Sequence, residues 1–94
     1  MLENTDVAKA EEHYRSVVRA SSSFVEAHNN LAILLHERGD LAGAEEHYST
    51  ALYLRPGDPE TNYNFALLAQ AKGDHEVADK YFKLSEELAR SLRK

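Results

Sequence analysis

Apolar residues recur along this chain at spacings of three and four, the period of a helix lying on an apolar support. Ala27, Leu31, Leu34 and Leu35 form one such stripe, which Arg38 continues, within residues 24–38. Ser23, with Glu26 three residues on, has the form of a capping box at its start, and Gly39 stops it. Asp40 is placed to cap a second helix over residues 41–54, whose apolar set is Leu41, Ala44, Tyr48, Ala51, Leu52 and Leu54. Pro56-Gly57 then breaks the chain. Asp58 caps a third helix that opens on Pro59, where the missing N–H costs nothing, and Phe65, Ala66, Leu68 and Ala69 are its inner face. Gly73-Asp74 repeats the earlier turn. The final helix carries Val77, Ala78, Tyr81, Phe82, Ser85, Leu88, Ala89 and Leu92. A first helix over about residues 6–20 carries Val7, Ala10, Tyr14, Val17 and Val18. No alternating run of strand length appears, so the pattern predicts five helices and an all-α fold.

The helices repeat. Residues 10–14 and 44–48 both read Ala-Glu-Glu-His-Tyr, an offset of 34 residues. The same offset relates Gly39-Asp40 to Gly73-Asp74, aligns Ala10, Ala44 and Ala78, and aligns Tyr14, Tyr48 and Phe82. A register kept at separate sites across three copies indicates duplication of a two-helix unit. Ala32 and Ala66 are equivalent in the first helices of two units, and small residues there let helices approach closely. The large aromatics then fill the wedge between successive hairpins. Gly39 and Gly73 each end a helix directly before an Asp, which predicts positive φ at both.

A 34-residue helix–turn–helix unit with these residues resembles the tetratricopeptide repeat family. The family's pattern of aromatic, Leu-Gly, Tyr, Gly-Asp, Ala, aromatic, Ala and Pro falls in the central repeat on His28, Leu31-Ala32, Leu35, Gly39-Asp40, Ala44, Tyr48, Ala51 and Pro56. In the following repeat it falls on Asn62, Phe65-Ala66, Ala69, Gly73-Asp74, Ala78, Phe82, Ser85 and Arg90. His28 and Asn62 replace an aromatic, which should soften packing at the start of each hairpin. Arg90 replaces the closing Pro, so the last helix should run on. The resemblance implies a right-handed α-solenoid of about two and a half repeats. It is one domain over residues 1–94, with a half repeat at 6–22 and full repeats at 25–58 and 59–92.

The resemblance also implies that the first helix of each hairpin lines a concave face that docks a peptide or partner protein. On this chain that face is Glu26, Asn29, Asn30, Ile33 and Glu37, then Glu60, Tyr63, Asn64, Leu67 and Gln70. These positions lie off the apolar stripe assigned to the core. Asn30 and Asn64 offer both donor and acceptor to an extended backbone, and Ile33, Tyr63 and Leu67 offer an apolar floor. Some family members clamp a terminal carboxylate with basic residues beside such Asn. Here Glu26 and Glu60 stand there instead, so a carboxylate clamp is rejected and a neutral or basic segment is the expected partner.

Composition narrows the chemistry. The chain has 94 residues, enough for one small domain. Its net charge of -5 and lack of a basic run argue against nucleic acid. It has no Cys, hence no disulfide or thiolate metal site. No apolar stretch suits membrane insertion, and a cytoplasmic location is the expectation. Five histidines invite a metal reading. However, His13 and His47 share a register through duplication, and His28 and His36 stand about 12 Å apart along one helix. No metal, cofactor or catalytic constellation is therefore expected, and the reading is a docking scaffold, not an enzyme.

A second reading concerns the ends. The first helix lacks the partner that precedes it in a full hairpin, leaving Val7, Tyr14, Val17 and Val18 uncovered. The last helix outruns its own partner at Leu84, Leu88 and Leu92. Repeats bury their apolar faces only against neighbours. The expected alternative is thus a unit or fragment of a longer solenoid that self-associates through Val17, Leu88 and Leu92.

Overall fold

The computed structural model describes residues 2–20 and 24–92, with side chains from residue 8 onward. Within them lie five helices and no strand: α1 (Leu2–Ala20), α2 (Val25–Glu37), α3 (Leu41–Leu54), α4 (Pro59–Ala71) and α5 (His75–Leu92). The expected five-helix, all-α repeat architecture is present.

Backbone chemistry sets most boundaries. Asp40 caps α3 by accepting from the Gly43 N–H at 3.0 Å. Asp58 caps α4, where its Oδ2 accepts from the Thr61 N–H at 3.3 Å and from the Thr61 hydroxyl at 2.5 Å. Pro59 is the first helical residue. α2 and α4 end alike. Gly39 has φ 88° and Gly73 φ 86°, and the following Asp N–H bonds back to the Leu35 and Ala69 carbonyls at 2.8 and 2.9 Å. Those bonds satisfy carbonyls that a bare helix end would leave open.

Two boundaries differ from expectation. α1 begins at Leu2 rather than near residue 6, because no Gly or Pro interrupts residues 2–6. The side chains of Asp6 and Val7 lie outside the described residues. α2 is capped at Phe24, with extended backbone and no side-chain cap bond from that residue. Ser23, and with it the expected capping box with Glu26, lies outside the described residues.

α2 packs most extensively on α3, and α4 on α5, giving two hairpins; α1 covers α2, α3 meets α4, and α2 touches α4. Alanines mark the close approaches: Ala32, Ala44, Ala51 and Ala66 are fully buried. Tyr48 sits in the joint between hairpins at 1% exposure, within a cluster of Leu31, Ala32, Leu35, Ala44 and Leu68. Its register mates Tyr14 and Phe82 are half-buried, since each stands at an end of the stack. The fold thereby sets α2 and α4, the first helices of the two hairpins, side by side.

The expected softness at His28 and Asn62 is absent. Both are buried. The Asn62 amide donates to the Pro56 carbonyl at 3.0 Å and to the Asp58 carbonyl at 2.8 Å, which ties α4 to the inter-hairpin turn. A buried polar group with its bonds made costs little and fixes geometry.

Candidate docking face on the first helices

α2 and α4 present two rows of side chains. On α2, Glu26 and Glu37 are exposed, Asn30 is half-buried, and Ile33 is half-buried with its chain packed against the core cluster. On α4, Glu60, Tyr63 and Gln70 are exposed, while Asn64 and Leu67 are half-buried. Asn29 departs from expectation: it is 6% exposed, because α4 lies against it. Asn64 Nδ2 reaches Asn29 Oδ1 at 3.5 Å across the two helices, a long contact by hydrogen-bond standards. Asn29 therefore belongs to the joint between rows, and Asn30 and Asn64 are the amides left beside it. Tyr63 keeps 49% of its surface open while its ring stands edge-on to Phe82, with centroids 5.4 Å apart. That contact anchors an aromatic at the rim.

The field over this face is negative. Burial first, then the charges of Glu37 and Glu60, push the Tyr48 hydroxyl up to about 12. Carboxylates on two different helices thus act on one phenol. Glu26 is partly balanced by Arg55 of the inter-hairpin turn, at 3.4 Å between exposed groups. Among the described residues no cluster of three or more His, Asp or Glu could hold a metal ion.

The sequence reading missed two features. His28 and His47 meet across the first hairpin, Nδ1 to Nδ1 at 3.2 Å. Nineteen residues separate them, and only the hairpin register brings them together. Second, an open cavity of about 320 Å³ lies between α3, α4 and α5, away from the two rows, with Phe65, Leu68, Ala69, Val77 and Tyr81 as its apolar wall. Its signal was in the alignment: Ala69 occupies the position that Leu35 fills in the preceding repeat.

At the ends, Val17 and Leu88 are half-buried and Leu92 is 72% exposed. Leu88 is not free overhang: its Cδ2 lies 3.9 Å from the point a Cβ on Gly57 would occupy, so it packs on the inter-hairpin turn. Among the described residues no helix is long and apolar enough to cross a membrane.

Residues 2–59 and residues 59–92 each match the tetratricopeptide repeat family. A search of curated proteins returned no match. Among solved structures, a crystal structure of MamA superposes with a TM-score of 0.87 at 20% identity, over 98% of this chain and 54% of that one. MamA from Desulfovibrio magneticus RS-1 gives 0.85 at 23% identity, over 96% and 51%. A chain of the CopN-Scc3 complex gives 0.80 at 23%, over 94% and 52%. The chain spans about half the length of these structures, and at such identities the likeness is one of fold.

Proposed function

Because the chain belongs to the tetratricopeptide repeat family, whose members act as protein-interaction modules and scaffolds, we propose that it docks a neutral or basic peptide segment, or a partner protein, along the rows of α2 and α4 in the cytoplasm. The observation that carries this reading is the half-buried amide on each row, Asn30 on α2 and Asn64 on α4, on helices that expose the acidic Glu26, Glu37 and Glu60. An amide can hold a backbone without charge, and the carboxylates favour Lys or Arg in the segment while repelling a free terminal carboxylate. Asn30→Ala with Asn64→Ala should weaken capture of cognate partners by about tenfold, with the thermal midpoint nearly fixed. Equal recovery by both proteins would move the docking site off these rows.

A second reading, self-association, is favoured by the exposed Leu92 beyond the end of α4. α5 has 18 residues against 13 in α4, a difference of about 7 Å in length. In this reading Val17, Leu88 and Leu92 meet a second copy. Sedimentation across the micromolar range tests it: a monomer mass throughout removes the assembly, whereas a dimer that Leu92→Ser dissolves supports it.

A further inference from the structure

The open cavity of about 320 Å³ between α3, α4 and α5 lies away from the docking rows, and the docking reading makes no use of it. The duplication shows how it is built. Where the preceding repeat has Leu31 and Leu35, 0% and 2% exposed in the core cluster, this repeat has Phe65 and Ala69. The shorter side chain at Ala69 withdraws carbon from the joint, and larger rings line the space that is left. Phe65 and Tyr81 meet edge to face, with centroids 4.8 Å apart, and brace one another as an aromatic wall. Leu68 is 1% exposed beneath them, whereas Val77 stands open at 38%.

The charges of the lining are unequally partnered. Lys72 and Asp74 flank Gly73, and Glu45 joins them from α3. Lys72 binds Glu45. That hydrogen bond first, with Asp74 adding and desolvation opposing, raises the Lys72 pKa above the usual 10.5. One cation thus serves two carboxylates. Lys80 of α5 is the other cation of the lining. Its ammonium lies 5.6 Å from the centre of the Tyr81 ring. Glu76 stands one turn earlier on α5, yet among the described residues no carboxylate comes within ion-pair distance of Lys80. The preceding repeat has Glu46 at this position. The second repeat therefore reverses the charge at the joint that it also opens.

We propose that this cavity binds a small aromatic monocarboxylate, with its ring against Phe65, Leu68 and Tyr81 and its carboxylate on the Lys80 ammonium. The volume sits at the lower end of small-ligand cavities, about 300–1,000 Å³, and suits a two-ring body. A flat ring meets an aromatic wall edge-on or offset. A cationic ligand would meet Lys80, and a second negative charge would meet Glu45 and Asp74, so the fitting class carries one negative charge. The site stands apart from the docking rows, and its failure leaves that reading untouched.

The test titrates the full chain at low salt with β-naphthoate, using β-naphthol as its neutral counterpart, and follows backbone amides by NMR. β-Naphthoate should bind with a Kd of about 1 mM or below and shift the amides of Phe65, Ala69 and Tyr81. Lys80→Gln should weaken β-naphthoate about fivefold and leave β-naphthol unchanged, whereas Lys83→Gln, on the same helix but outside the lining, should change neither. Ala69→Leu should weaken both ligands more than tenfold by filling the cavity; should that variant fold poorly, Ala69→Val should weaken both in the same direction. Equal affinity of the parent for the two ligands, an unchanged β-naphthoate affinity in Lys80→Gln, or shifts centred on the rows of α2 and α4 would overturn the proposal. So would tighter binding of the acidic aromatic peptide acetyl-Asp-Trp-Asp-amide, which would make the cavity an anchor pocket for a protein.

Discussion

Lys72, the C-cap of α4, closes on Glu45 of α3 at the repeat position where Arg38, the C-cap of α2, closes on Glu11 of α1. The two ion pairs are one contact made twice, 34 residues apart, each joining the second helix of one unit to the first helix of the next. Their settings differ. The Glu11 side chain is 15% exposed and also binds Arg15, whereas Glu45 and Lys72 are well hydrated. An exposed pair contributes little and is screened by salt, while a carboxylate held by two cations in a drier place contributes more. Glu11→Gln should cost about 1–2 kcal/mol by denaturant unfolding, and Glu45→Gln distinctly less, with a dependence on salt. Equal losses would show that the two joints are energetically alike.

Tyr48 should be the most expensive side chain to truncate. It is buried in the joint between hairpins, and Tyr48→Ala should cost about 3–5 kcal/mol. Its hydroxyl pKa, raised to about 12 by burial and by Glu37 and Glu60, sets an alkaline limit. The folded chain prefers the neutral phenol, so this stabilisation is complete below about pH 10 and is lost as pH climbs towards 12. Ultraviolet titration of phenolate should show one tyrosine of the five ionising late and together with unfolding. In Tyr48→Phe the late step should vanish.

Glycine substitutions should separate two roles. At Gly39, φ is 88° and no atom lies near a new Cβ, so Gly39→Ala should cost about 1–2 kcal/mol through backbone strain alone. At Gly43 the backbone is helical, and Ala would ordinarily stabilise by about 1 kcal/mol. Here a Cβ would stand 2.5 Å from Asp40 Oδ2, against the side chain that caps α3. Displacing the cap costs about the same amount, so Gly43→Ala should be neutral or destabilising. A gain of a full kcal/mol would show that the cap gives way freely.

Ala69→Leu restores the residue type that the preceding repeat has at this position, beside the cavity of about 320 Å³. The added carbons meet Phe65, Leu68 and Tyr81, and the thermal midpoint should rise by an amount equivalent to about 1–2 kcal/mol. A fall would show that the cavity is closed to side chains entering from α4.

The parts of the structure that were legible in the sequence are those where one residue's own chemistry decides. Pro59 after Asp58, Gly39 before Asp40 and Gly73 before Asp74 each fix a backbone conformation locally, and each lies where its residue type requires. The repeat register then carried the helix pairing. Features that depend on two distant side chains meeting were not legible. The burial of Asn29 follows from α4 lying over it, and the His28–His47 contact follows from the hairpin's rotation, which spacing along one helix does not encode.

The amide of Asn62 is tied to the carbonyls on both sides of Gly57, and that has a mechanical consequence. The Asp58 carbonyl belongs to the cap of α4, so that bond fixes the amide on its own helix. The Pro56 bond then ties this first turn to the turn before it, so the joint between hairpins behaves as a pinned beam rather than a free hinge. The spacing between the rows on α2 and α4 is then preset before anything is bound, and a partner loses little entropy in finding it. Stiffness at one backbone joint becomes, at the surface, a gauge for the width of what fits.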